Sequence, residues 1–153
     1  MSSLQTMLLD LVVDLTRDEP VETFDEKFAR IAAFPQPDVL PLLRALLTHP
    51  ISYIRSSAGQ SLLLLNASAT LPWVLSLLYD PDTAVRTIIA YELCLAGDAR
   101  AVNDLCSVVQ TDPDGTIRAY AACALGNIGD ACAIATLEAV AKSDRGVDYS
   151  EPT

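Results

Sequence analysis

Three arginines, Arg55, Arg86 and Arg118, recur at intervals of 31 and 32 residues and are the side chains best placed to do chemistry in this chain. A guanidinium grips a carboxylate through two parallel N–H···O bonds, so a row of them could seat an acidic partner loop or the carboxylates of a small anionic ligand. The same row could instead tie repeating units together through turn aspartates such as Asp80, Asp82, Asp112 and Asp114. Charges repeated in register between stacked units commonly serve neighbour contacts. The expectation is therefore an inter-repeat ladder of Arg55, Arg86 and Arg118 with Asp82 and Asp114.

Other reactive residue types are sparse. His49 is the single histidine. A Ser-His-Asp arrangement would have to be built around its turn, and a metal site with several imidazoles is excluded. It reads as a solvated turn residue that has drifted from the aspartates at its place in later units. Cys94, Cys106, Cys123 and Cys132 show no C-x-x-C spacing and lie in apolar stretches, so they read as reduced, small hydrophobic side chains in a reducing cytosol. No phosphate-binding glycine loop is present, and Gly126-x-x-Gly129 reads as a helix end. Neither catalytic nor metal-binding residues are expected, and a non-catalytic role is preferred.

The elements that position the arginines form a repeat. Thr48-His49-Pro50-Ile51-Ser52-Tyr53-Ile54-Arg55, Tyr79-Asp80-Pro81-Asp82-Thr83-Ala84-Val85-Arg86 and Thr111-Asp112-Pro113-Asp114-Gly115-Thr116-Ile117-Arg118 share one frame. A period of this size means stacked supersecondary units. Counting from each arginine, position −1 holds Ile54, Val85 and Ile117, position +3 Ala58, Ile89 and Ala121, and position +7 Leu62, Leu93 and Leu125. These offsets trace one apolar helix face. Position +4 is Gly59, Ala90 or Ala122, small enough for a neighbouring helix to approach, and position +11 is Asn66, Gly97 or Gly129, residue types that end helices in the left-handed conformation.

A second apolar stretch precedes each proline, at 39–47, 71–78 and 101–109, so each unit is an antiparallel helix pair. Asp82 and Asp114 should cap the second helices, and Ser52 should do so in the first unit. The predicted fold is all-α: a right-handed α-solenoid over 1–144, with repeats at 38–66, 70–97 and 98–129, a partial repeat at 130–144 and a loose tail at 145–153. Residues 1–36 read as a degenerate capping pair. One of its helices carries Leu4, Met7, Leu8, Leu11, Val12 and Leu15, the other Phe24, Phe28 and Ile31 behind a Thr23/Glu26 capping box.

Positions −2, +1, +2 and +5 point away from the core face. They hold Tyr53, Ser56, Ser57 and Gln60, then Ala84, Thr87, Ile88 and Tyr91, then Thr116, Ala119, Tyr120 and Cys123. None is charged, although 20% of the chain is, so this face is a candidate partner-binding groove with Tyr53, Thr87, Ile88, Tyr91, Ala119 and Tyr120 as contacts. Trp73, on a first helix, reads as a packing residue.

Bulk properties narrow the partners. Twenty acidic against ten basic residues give a formal charge of −10, which repels phosphate backbones and excludes nucleic acid as an expected partner. A hydrophobic content of 51% over 153 residues is enough to build a core. The N-terminus has no basic leader, and Asp10 and Asp14 interrupt its apolar stripe, so the expectation is a soluble, cytoplasmic chain without membrane insertion.

Asp80-Pro81-Asp82-x-x-Val85-Arg86 and Asp112-Pro113-Asp114-x-x-Ile117-Arg118, each followed by Ala or Leu at core spacing and a terminal glycine, resemble HEAT repeats. The closing Leu125-Gly126-Asn127-Ile128-Gly129-Asp130 is similar to the short HEAT-like repeats of phycobilisome lyases. The resemblance spans roughly 38–144. It implies an α-solenoid whose second helices line the concave side, and a scaffold that binds another protein there without a cofactor. The phycobilisome-lyase likeness implies an alternative, a bilin lyase subunit or relative that handles a phycobilin or a phycobiliprotein, with Arg86 or Arg118 meeting the propionates. A third reading is a structural cap of a larger assembly. The di-iron hydroxylases of the HEAT class need His-Glu pairs, which this sequence lacks.

Overall fold

The structure is a computed structural model, and it describes residues 35–65 and 69–144. The two expected helices within 1–34, the helix end at Asn66 and the tail at 145–153 lie outside the described residues. The described residues form seven α-helices and short 3-10 turns, with no strand. They belong to two compact units, Met1–Leu77 and Leu78–Thr153.

The first unit contains α1 (Gln36–Leu46), α2 (Ser52–Leu64) and α3 (Leu71–Ser76). Helix α1 begins three residues before the predicted 39, because Pro37 falls in the first turn, where its missing N–H costs nothing. Val39, Leu43 and Leu47 recur at helical spacing and are buried, as are Ile54, Ala58 and Leu62 on α2. The expected cap at Ser52 is not formed. Ile51 is the N-cap and its side chain bonds nothing, since the Pro-Asp of the later turns is Pro-Ile here and Ser52 already lies inside the helix.

The second unit contains α4 (Thr83–Ala96), α5 (Val102–Thr111), α6 (Gly115–Ile128) and α7 (Ala131–Asp144). Helices α4 and α6, the second helices of successive repeats, pack side by side, and α5 packs on α6 and α7. Val85, Ile89, Leu93, Ile117, Ala121 and Leu125 are all buried, so the −1, +3 and +7 columns are core. Both helices start on a working cap. Asp82 accepts from the Ala84 amide at 2.9 Å, and Asp114 accepts from those of Thr116 and Ile117 at 2.7 and 3.3 Å.

Both also end as their glycines dictate. Gly97 and Gly129 have φ of 60° and 70° and return their N–H groups to Leu93 and Leu125. A further aspartate, Asp98, opens the next repeat by accepting from the Arg100 amide and pairing with the Arg100 guanidinium at 2.6 Å. That guanidinium holds the Asp98 carboxyl below the usual carboxylate range.

Candidate functional site

The arginines do the same local work in every repeat. Arg86 Nη1 donates to the carbonyls of Asp80 and Pro81 at 2.9 and 3.4 Å, and Arg118 Nη1 to those of Asp112 and Pro113 at 2.9 and 3.1 Å. Within the first unit, Arg55 Nη1 donates to His49 and Pro50 at 2.8 and 3.0 Å. These carbonyls lie in the turn between two helices, outside the hydrogen-bond ladder of either, and the arginine one turn into the next helix donates to them.

A second bond reaches the neighbouring repeat. Arg86 Nε lies 2.9 Å from Asp112 Oδ2, with side-chain exposures of only 11% and 5%. Asp112 Oδ1 accepts from the Asp114 amide at 2.8 Å, as Asp80 Oδ1 does from Asp82 at 2.9 Å. The aspartate before each proline therefore shapes its turn, and the one after it caps the helix. This revises the expected ladder: Asp82 and Asp114 sit on helix N-termini, and the carboxylate on Arg86 is that of Asp112. Two amide bonds at the helix N-terminus hold the Asp114 carboxyl below the usual carboxylate range.

His49 was expected to be idle and is not. Its Nδ1 accepts from the Ile51 amide at 3.2 Å, the bond that Asp80 and Asp112 make two residues ahead in their turns. His49 occupies the place of Asp80 and Asp112 in the shared repeat frame, and an imidazole nitrogen and a carboxylate oxygen are both acceptors of similar reach.

On the outward face of the second unit, Tyr91 and Tyr120 meet edge to face with ring centroids 5.4 Å apart at 71°. Tyr91 is 44% exposed and Tyr120 half-buried; Thr87 and Ile88 are half-buried and Ala119 exposed. Thr87 turns its hydroxyl back to the Thr83 carbonyl at 2.8 Å. In the first unit Tyr53 is also 44% exposed, but Ser56 and Ser57, expected on the same open face, are buried. Both donate to the Tyr53 carbonyl, at 2.9 and 2.8 Å, and so enter the interior already satisfied. In that unit the Arg44 guanidinium stacks on the Trp73 ring, 4.6 Å from its centroid.

One turn along the same seam, Cys94 and Cys123 bring their sulfurs to 2.8 Å, and Asn127 Nδ2 donates to the Cys94 carbonyl at 3.0 Å. Repeat spacing did not point to this pair. Burial, with the neighbouring Cys123, pushes the Cys94 thiol up to about 11.

A cavity of about 240 Å³ beside the Arg86–Asp112 pair is lined by Leu78, Tyr79, Asp80, Val108, Thr111 and Pro113. Its guanidinium and the Asp112 carboxylate engage each other, so this pair presents no uncompensated charge to a ligand. Among the described residues, no cluster of three or more His, Cys, Asp or Glu is arranged to hold a metal ion, and no helix is long and apolar enough to cross a membrane.

A family model described as HEAT repeats matches residues 71–149, more than half of the chain. This chain belongs to the HEAT-repeat family, and its fold is of the all-α solenoid class expected from the period. No curated protein matches it in sequence.

Proposed function

We propose that this chain is a non-catalytic scaffold that binds a partner protein through the second-helix face of its second unit. The observation that carries the reading is the Tyr91–Tyr120 pair: two large aromatic side chains in contact across successive repeats, partly open to solvent, with Thr87, Ile88 and Ala119 beside them. Aromatic rings that are rigid before binding give contact area at low entropic cost, and such residues dominate binding energy at interfaces. HEAT arrays commonly act by presenting repeated surfaces of this kind. The net charge of −10 favours a partner whose rim is basic, because complementary potentials speed encounter. Tyr53 offers a similar exposed ring on the first unit.

The test is affinity capture from the source cells, followed by titration of the captured protein against wild type, Tyr91→Ala and Tyr120→Ala. Each substitution should weaken binding by roughly 10- to 100-fold with the helical circular dichroism unchanged. Undiminished binding by both variants overturns the proposal. Adding a linear tetrapyrrole to the purified chain examines the bilin-handling alternative: a red-shifted, structured absorbance would replace the scaffold reading with a phycobilin or phycobiliprotein role.

A further inference from the structure

Cys94 and Cys123 stand on α4 and α6, with Sγ atoms 2.8 Å apart, and both are free thiols. The partner-binding reading makes no use of them. A disulfide holds its sulfurs at about 2.05 Å, so less than an ångström separates this contact from a bond. The two thiols are unequal in access: Cys123 is exposed and Cys94 buried. A reagent in solution meets Cys123 first, and Cys94 waits behind it as the resolving thiol. The Asn127 amide lies 3.6 Å from Cys94 Sγ and 4.0 Å from Cys123 Sγ, where an N–H favours a sulfur carrying negative charge.

We infer that Cys94 and Cys123 form an oxidisable dithiol, converted by a low-molecular-weight disulfide into an internal disulfide that fastens α4 to α6. The Cys123 thiolate attacks one sulfur of the small disulfide, whose S–S bond breaks. One small thiolate leaves and takes up the proton that Cys123 released, and a mixed disulfide remains on Cys123. Cys94, as its thiolate, then attacks Cys123 Sγ and expels the second small thiolate, which takes up the proton that Cys94 released. The protein loses two hydrogens, and the small disulfide gains them as two thiols.

Besides burial, which comes first, the causes that raise the Cys94 thiol are the hydrogen bond and the charge of Cys123. Closure encloses the chain between α4 and α6, α5 included, and restricts the unfolded ensemble. It also pins the seam one turn from Tyr91 and Tyr120, which precede the two cysteines by three residues each.

The experiment incubates the full chain with mixtures of reduced and oxidised glutathione, alkylates the remaining thiols, and combines intact mass, peptide mapping and thermal melting. A species lighter by two hydrogens and linked between Cys94 and Cys123 should form while Cys106 remains alkylatable. Its melting temperature should rise by several degrees, and reductant should reverse the rise. Cys94→Ser should stall as a glutathione adduct on Cys123, and Cys123→Ser, an exposed and conservative change, should give no internal disulfide. Three results overturn the inference: Cys94 and Cys123 staying alkylatable under conditions that modify Cys106, a Cys123 adduct accumulating in the unsubstituted chain, or closure that leaves melting unchanged.

Discussion

Arg86 Nε and Asp112 Oδ2 meet at 2.9 Å across the boundary between two repeats, while the other oxygen of Asp112 holds the Asp114 amide. One carboxylate thereby fixes both the shape of its own turn and the position of the repeat before it. Arg86→Ala should cost about 3 kcal/mol, because it strands a nearly buried carboxylate and leaves the Asp80 and Pro81 carbonyls without their donor. Asp112→Asn, which keeps an oxygen for the Asp114 amide, should cost less. In urea titrations the double variant should lose less than the sum of the two singles; strict additivity would show that the residues are not coupled.

His49 should tolerate aspartate better than alanine. His49→Ala removes the acceptor of the Ile51 amide and should cost about 0.5–1 kcal/mol, the net worth of an ordinary hydrogen bond. His49→Asp restores the acceptor found in the later repeats and should match or exceed the stability of wild type in thermal melts.

Two glycines three residues apart should respond in opposite directions. Gly126 lies inside α6 with nothing within 4 Å of an added Cβ, so Gly126→Ala should stabilise by about 0.5–1 kcal/mol through helix propensity. Gly129 has φ of 70°, and Gly129→Ala should destabilise by about 1–2 kcal/mol. Denaturant midpoints shifting in the same direction for both would contradict the cap geometry.

Acid should erase the contribution of the Asp114 cap. Its carboxyl is held below the ordinary value of 3.8 by the Thr116 and Ile117 amides, so the stability it adds is complete above that value and fades as pH falls through its lower folded value. The difference in melting temperature between wild type and Asp114→Ala should therefore be constant near neutrality and shrink once the pH drops below about 4. A gap that persists unchanged at pH 2 would mean that the charge of the cap plays no part.

The core columns, the caps at Asp82 and Asp114 and the glycine ends at Gly97 and Gly129 were legible in the sequence, because each depends on residue type at fixed offsets within one helix. Contacts between helices were not. Tyr91 is five positions past its arginine and Tyr120 two past its own; Cys94 and Cys123 stand at eight and five. Both pairs are offset by three residues, one helical turn, so α6 meets α4 with a stagger that placing equivalent residues side by side conceals. The choice between Asp112 and Asp114 as partner of Arg86 was equally hidden, since it turns on which carboxylate is already occupied by the next helix. Ser56 and Ser57 were assigned to the open face by their offsets from Arg55, but their hydroxyls are satisfied by the Tyr53 carbonyl, so that both can be buried, and the offset alone does not show this.

The arginine contacts give the array a direction. Arg86 clasps the turn behind it and hooks the aspartate ahead, so a unit carries a hook on its leading edge and an eye on its trailing edge. Such couplings close only head to tail. A duplicate of residues 81–112 spliced after Asp112 would present its own arginine to its own closing aspartate, and that aspartate to the Asp114 amide, so the polar couplings would be matched. Lengthening by whole units thus preserves this coupling, whereas an insertion of part of a unit would separate an arginine from the carboxylate that it hooks.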